Sequence, residues 1–120
     1  MDRFVEILGR FLLGGYFIYG GINHVIHVRQ MASYAQSKSV PLPSAAVILT
    51  GILLLFGGVT VVLQIWVNAG LIALIIFLVP VTLTMHAFWK VQDPASKMGE
   101  MINFWKNIAL LGAVLMLLGR

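Results

Sequence analysis

Cysteine is absent from this 120-residue chain. The chain therefore has no disulfide, no thiolate nucleophile, no cysteine ligand for an iron–sulfur cluster and no C-x-x-C redox pair. Charge is almost as scarce: 10% of residues are Asp, Glu, Lys or Arg, and only 4 are acidic. Soluble domains carry roughly 25% charged residues. The 8 basic residues give a net charge of +4, but Arg3, Arg10, Arg29, Lys38, Lys90, Lys97, Lys106 and Arg120 stand singly along the chain. A nucleic-acid surface gathers its cations on one face, so this pattern argues against nucleic acid as a partner. Single cations between apolar runs suit loops that face lipid headgroups.

What fills the chain is apolar. Hydrophobic residues make up 60% of it, and the mean hydropathy is +0.97. A soluble fold of this size could not cover so much apolar surface. The composition implies an integral membrane protein in contact with the lipid bilayer. The opening "MDRFVEILGR" mixes charges and has no small-x-small cleavage site after its apolar run, so it reads as the start of a retained helix and not as a signal peptide.

A helix needs about 20 apolar residues to cross a bilayer core. Segments at about 4–23, 44–63, 66–89 and 101–118 meet this need. The second and third are separated only by "LQIW", which makes them an antiparallel hairpin, and "KVQDPASKMGE" reads as the loop between the third and fourth. The stretch after the first segment is patterned. Val28, Met31, Ala32 and Ala35 fall at i, i+3, i+4 and i+7, one helical face. This predicts a short amphipathic helix lying on the membrane surface, ended by Pro41 and Pro43. The expected fold is all-α: an integral membrane four-helix bundle in one domain, with a short amphipathic interfacial helix between transmembrane helices 1 and 2.

Two glycine patterns match: "GGYFIYGG" and "GILLLFGG". Gly14 and Gly21, and likewise Gly51 and Gly58, are seven residues apart, so each pair lies on one face two turns apart. Small residues let transmembrane helices approach closely, which makes these four helix-packing positions; backbone room for a ligand is the alternative. Pro80 lies deep in the third segment and should kink it or free a carbonyl near Ile76.

An even number of spans sorts the polar residues without any contact information. One half of the membrane receives Asn23, His24, His27, Ser44, Thr50, His86, Asn103, Lys106 and Asn107, including all 3 histidines. The other half receives Glu6, Arg10, Gln64 and Asn68. The loops of the histidine side carry slightly more Lys and Arg, a small bias toward placing that side in the cytoplasm.

Lys106 cannot lie outside the membrane. If it did, the fourth helix would start near Ile108 and rise only roughly 16 Å, short of the about 30 Å core. The helix must begin near Met101, with Lys106 inside but within snorkelling reach of the interface. Asn103, Lys106 and Asn107 share one face, directed into the bundle. Two readings stand side by side. In one, the polar residues only hydrogen-bond between helices. In the other, Asn23, His24, His27, His86, Asn103, Lys106 and Asn107 form a ligand-binding pocket for a headgroup, a quinone carbonyl or an anionic substrate. Metal or haem is disfavoured, because no carboxylate is spaced to complete a histidine site. Trp66 and Trp89 read as interfacial anchors.

These residues also carry a likeness. The chain resembles the DoxX family of small four-helix prokaryotic membrane proteins, through "LGRFLLGGYFIYGGINHV", "VPLP", the glycines of "GILLLFGG", "HAFW" and "MINFWKNIALLG", in that order along nearly the whole chain. The resemblance implies a four-helix bundle in the prokaryotic cytoplasmic membrane and a connection to redox systems, quinone-linked ones among them. By position it points to His86, Phe88, Trp89, Asn103, Phe104, Lys106 and Asn107. Asn23 and His24 stand where many members have a basic residue. Members often carry a glutamate on the second helix; here that region reads Val47, Ile48, Leu49, Thr50. The nearest acids on that side, Asp93 and Glu100, are expected at or outside the membrane edge.

No residue pattern here moves electrons by itself, so catalysis is left open and no intrinsic cofactor is expected; quinone is the candidate ligand. The expectation is a membrane module supporting a redox system, as a homo-oligomer or within a complex. The alternative is a non-catalytic scaffold or assembly factor with a structural polar cluster.

Overall fold

A computed structural model describes residues 2–120. In chain order the described elements are α1 (Arg3–Ile26), α2 (Val28–Ser37), α3 (Pro43–Leu63), α4 (Val67–Met85), a 3₁₀ turn (Phe88–Lys90) and α5 (Pro94–Leu117). Four helices are long and apolar enough to cross a membrane: α1, α3, α4 with its 3₁₀ extension, and α5. The longest dimension of the molecule is 46 Å, close to the roughly 40–45 Å of a bilayer with its headgroups. The protein is an all-α membrane bundle, as its sequence implies.

Three boundaries differ from the sequence reading, each for a local reason. The first helix continues past Asn23 to Ile26, because the break comes at His27, whose backbone is non-helical (φ −110°, ψ 38°). The third span is not one helix to Trp89: α4 ends at Met85, and "HAFW" is a break followed by the 3₁₀ turn. The fourth span starts at Pro94 and not near Met101. Asp93 caps it by accepting the Ser96 backbone N–H at 3.0 Å, and Pro94 sits in the first turn, where a missing N–H costs nothing. The same hydrogen bond holds the Asp93 carboxyl below the usual carboxylate range. Helix α4 runs through Pro80 without interruption.

The spans pack as a row, α1 on α3, α3 on α4, α4 on α5, while α1 and α5 make no extended contact. The α1–α3 seam is the tightest. A Cβ on Gly14 would lie 2.8 Å from the Gly58 carbonyl oxygen, and one on Gly58 would lie 2.7 Å from that of Gly14. A Cβ on Gly21 would be 2.9 Å from the Gly51 oxygen. The two glycine pairs therefore meet backbone to backbone, which requires residues without side chains. Across the next seam, Gly57 faces Leu74 and Gly70 faces Thr60. The core threads all four spans through Phe17, Leu54, Val61, Leu71, Leu74, Leu78 and Val114. Helix α2 packs on α3 through Ala32 and Ala35, the small residues of its apolar face.

Candidate functional site

Because the row does not close, a cleft of about 610 Å³ runs between α1 and α5, with α3 and α4 behind it and α2 over its end. Six of the seven polar residues singled out from the sequence line this cleft: Asn23, His24, His86, Asn103, Lys106 and Asn107. His27 does not. It sits exposed in the break between α1 and α2, with its Nδ1 2.9 Å from Gln30 Oε1. The three histidines thus do not converge, and among the described residues no group of His, Asp and Glu is arranged to hold a metal.

Most of the cleft wall is apolar or aromatic, with Tyr16, Phe17, Tyr19, Leu54, Phe77 and Leu110 contributing. Its polar groups divide by whether the protein satisfies them. His24 is satisfied on one side: its Nδ1 lies 3.0 Å from the Val47 carbonyl and 3.1 Å from Thr50 Oγ1. A carbonyl only accepts, so Nδ1 carries the hydrogen. Thr50 in turn donates to the Ala46 carbonyl at 2.7 Å. Asn107 is the opposite case. It is 6% exposed, lines the cleft, and has no side-chain hydrogen-bond partner among the described residues. Its amide atoms are not sealed in protein and open onto the cleft, where a polar group can meet them.

Lys106 lies about 9 Å along α5 from Glu100 at 1.5 Å per residue. Its Nζ stands 5.8 Å from the centre of the Tyr16 ring on α1. The cation therefore reaches over an aromatic face across the cleft and makes no ion pair among the described residues.

At the interfacial end the structure adds partners that the sequence did not show. Glu100 is buried in the protein there, 7% exposed. It accepts the Tyr34 hydroxyl, pairs with Lys38 Nζ at 2.9 Å and accepts His86 Nδ1 at 2.9 Å. Tyr34 and Lys38 belong to α2 and the residue that ends it, and His86 ends α4, so one carboxylate fastens three elements at the head of the cleft. Burial and the adjacent carboxylate push the Tyr34 hydroxyl well above its ordinary value. The sequence held a signal for Glu100: it shares a face with Asn103 and Asn107, at i, i+3 and i+7. Tyr34 and Lys38 had no such signal, since α2 returns over the cleft only in the fold.

Beside this cluster, Phe88, Trp89, Phe104 and Trp105 stack edge to face with centroids 5.0 to 5.6 Å apart. They join the 3₁₀ turn to α5 and so hold His86 near Glu100.

A family model for DoxX matches residues 6–87, so the chain belongs to the DoxX family. No curated protein and no solved structure matches it.

Proposed function

We propose that this DoxX-family protein is a membrane module of a redox system in the prokaryotic cytoplasmic membrane, and that its cleft receives a quinone. The observation that carries the reading is the unpaired donor set, Asn107 and Lys106, inside an otherwise aromatic cleft. A quinone is a flat ring with two carbonyl acceptors and an apolar tail, so it needs hydrogen-bond donors and ring surfaces to stack on. The NH2 of the Asn107 amide and the ammonium of Lys106 are donors, and Tyr16 and Phe77 offer ring faces. The cleft volume falls in the range of small-molecule sites. The gap between α1 and α5 faces lipid, the phase in which quinones dissolve. In this reading the chain serves a partner enzyme, as a homo-oligomer or in a complex.

The test is titration of purified protein in lipid nanodiscs with a short-chain ubiquinone or menaquinone analogue. A hydrogen bond to a charged group contributes about 1.5–3 kcal/mol, so Lys106→Met should weaken binding by about 10- to 100-fold. Equal affinity in both proteins, or binding in neither, overturns the reading.

A second reading, a scaffold or assembly factor, is favoured by the Glu100 cluster, whose bonds to Tyr34, Lys38 and His86 are all internal. It expects Lys106→Met to leave cellular activity intact while Glu100→Ala abolishes it through misassembly.

A further inference from the structure

Two imidazoles line the cleft, and only one has an anion behind it. His24 leans on a carbonyl and a hydroxyl, through Val47 and Thr50. His86 leans on Glu100. Glu100 takes hydrogen bonds from Tyr34 and Lys38 as well, and only the ionised carboxylate accepts all three. His86 Nδ1 is therefore the donor in that contact. Its Nε2 has no hydrogen-bond partner among the described residues and is not sealed from its surroundings. This is the carboxylate–histidine arrangement that fixes a ring's tautomer and offers the far nitrogen for proton exchange.

We propose that His86, with Glu100 as its positioning residue, exchanges a proton with the ring hydroxyl of a quinol in the cleft. The inference rests on the quinone reading above and adds the acid–base group. In the step, the ring O–H bond breaks and an N–H bond forms at Nε2. The bonding pair stays on the ring oxygen, and no electron changes hands. The imidazolium formed is paired with Glu100, and the ring oxyanion shares the cleft with the Lys106 cation. The charged and titratable groups facing the pair are Tyr34 and Lys38 from the α2 side, His24 from α1, and Lys106 from α5. Tyr34 and Lys38 bond to Glu100 and stand at the interfacial end, where protons exchange with water.

The neutral imidazole accepts from a quinol hydroxyl, whereas the imidazolium donates to a quinone carbonyl. Quinol affinity should therefore rise with pH and quinone affinity fall, with a common midpoint. The experiment measures nanodisc-bound affinity between pH 5 and 9 for a short-chain quinone, its quinol and the quinol dimethyl ether. The ether, having no hydroxyl proton to give, should lack the rising limb. Glu100→Gln removes the carboxylate that orients the ring and should weaken quinol binding by about tenfold while leaving the affinity for the dimethyl ether unchanged. His86→Gln keeps a donor to Glu100 but cannot titrate, and it should flatten both profiles while the protein stays folded. Unchanged profiles in His86→Gln, or a rising limb retained by the dimethyl ether, overturn the proton-exchange role alone. If neither quinone nor quinol binds wild-type protein at any pH, the quinone reading falls with it.

Discussion

Helix α1 has two working faces, and they are built on opposite rules. On the α3 face, Gly14 and Gly21 leave no room: any Cβ would strike backbone oxygen. On the cleft face, Tyr16, Tyr19 and Asn23 look across open space toward α5. One face spends its sequence on removing side chains, the other on keeping them large and polar. The difference shows how a thin bundle keeps a cavity open. A cleft between α1 and α5 survives only because α1 is held firmly elsewhere, along backbone that cannot slide without collision.

Substitutions at the seam and in the cleft should therefore behave differently. The largest effect is expected from Gly58→Leu, which drives a side chain into the Gly14 carbonyl and the Ile18 backbone N–H. It should cost about 3 kcal/mol, the upper part of the overpacking range, measured as the unfolding midpoint in mixed micelles. Gly15→Ala on the same helix, where a Cβ meets nothing within 4 Å, is the control and should move stability by less than about 0.5 kcal/mol. Equal losses in the two would refute the seam.

Next comes Glu100→Ala. Breaking a buried pair costs about 3–5 kcal/mol when the partner is stranded. Lys38 is 21% exposed and can turn to water, so a loss nearer about 2 kcal/mol is expected in the same unfolding assay. Tyr34→Phe should be milder, about 1 kcal/mol, and its effect should depend on pH. The Tyr34 hydroxyl is raised above its ordinary value, first by burial and then by Glu100. Its contribution is fully present below the unfolded value of about 10 and fades as pH climbs beyond it. The gap between wild type and Tyr34→Phe should hold constant up to about pH 10 and narrow above that. The smallest effect belongs to the cleft wall. Asn107→Leu replaces an unpaired amide with an apolar group and should stabilise by less than about 1 kcal/mol while lowering ligand affinity. A clear loss of stability there would mean that Asn107 is bonded after all, and the contrast between the two faces would blur.

Much of this was legible in the chain. Span number follows from apolar length, and Val28, Met31, Ala32 and Ala35 announce α2 because a surface helix must bury one stripe. The glycine spacing places a close approach on α1 and on α3, since backbone contact demands missing side chains on one face. Alternation of the spans gathers Asn23, His24, His86 and Lys106 at one end without knowledge of contacts. What sequence reading missed was decided by capping and by return. Asp93–Pro94 begins α5 a turn and more before the apolar run does, and that makes Glu100 a helical residue buried against its neighbours. His27 looked equivalent to His24, but the helix breaks at that residue and swings its ring away. Tyr34 and Lys38 act on a carboxylate 66 residues later for Tyr34, a pairing that no local pattern encodes.

The serial packing of the spans has a consequence for biogenesis. Each span rests mainly on the one made just before it: α3 on α1, α4 on α3, α5 on α4. No helix entering the bilayer has to wait for a later one, so the bundle can grow by accretion as the ribosome delivers it. The order also suits the costliest residue. Lys106 arrives last, on α5, when the aromatic wall that receives its charge is already standing on α1. A circular permutant that places residues 94–120 first would present that lysine to lipid with nothing to meet it. Its insertion efficiency, compared with that of the natural order, would measure how far synthesis order protects the site.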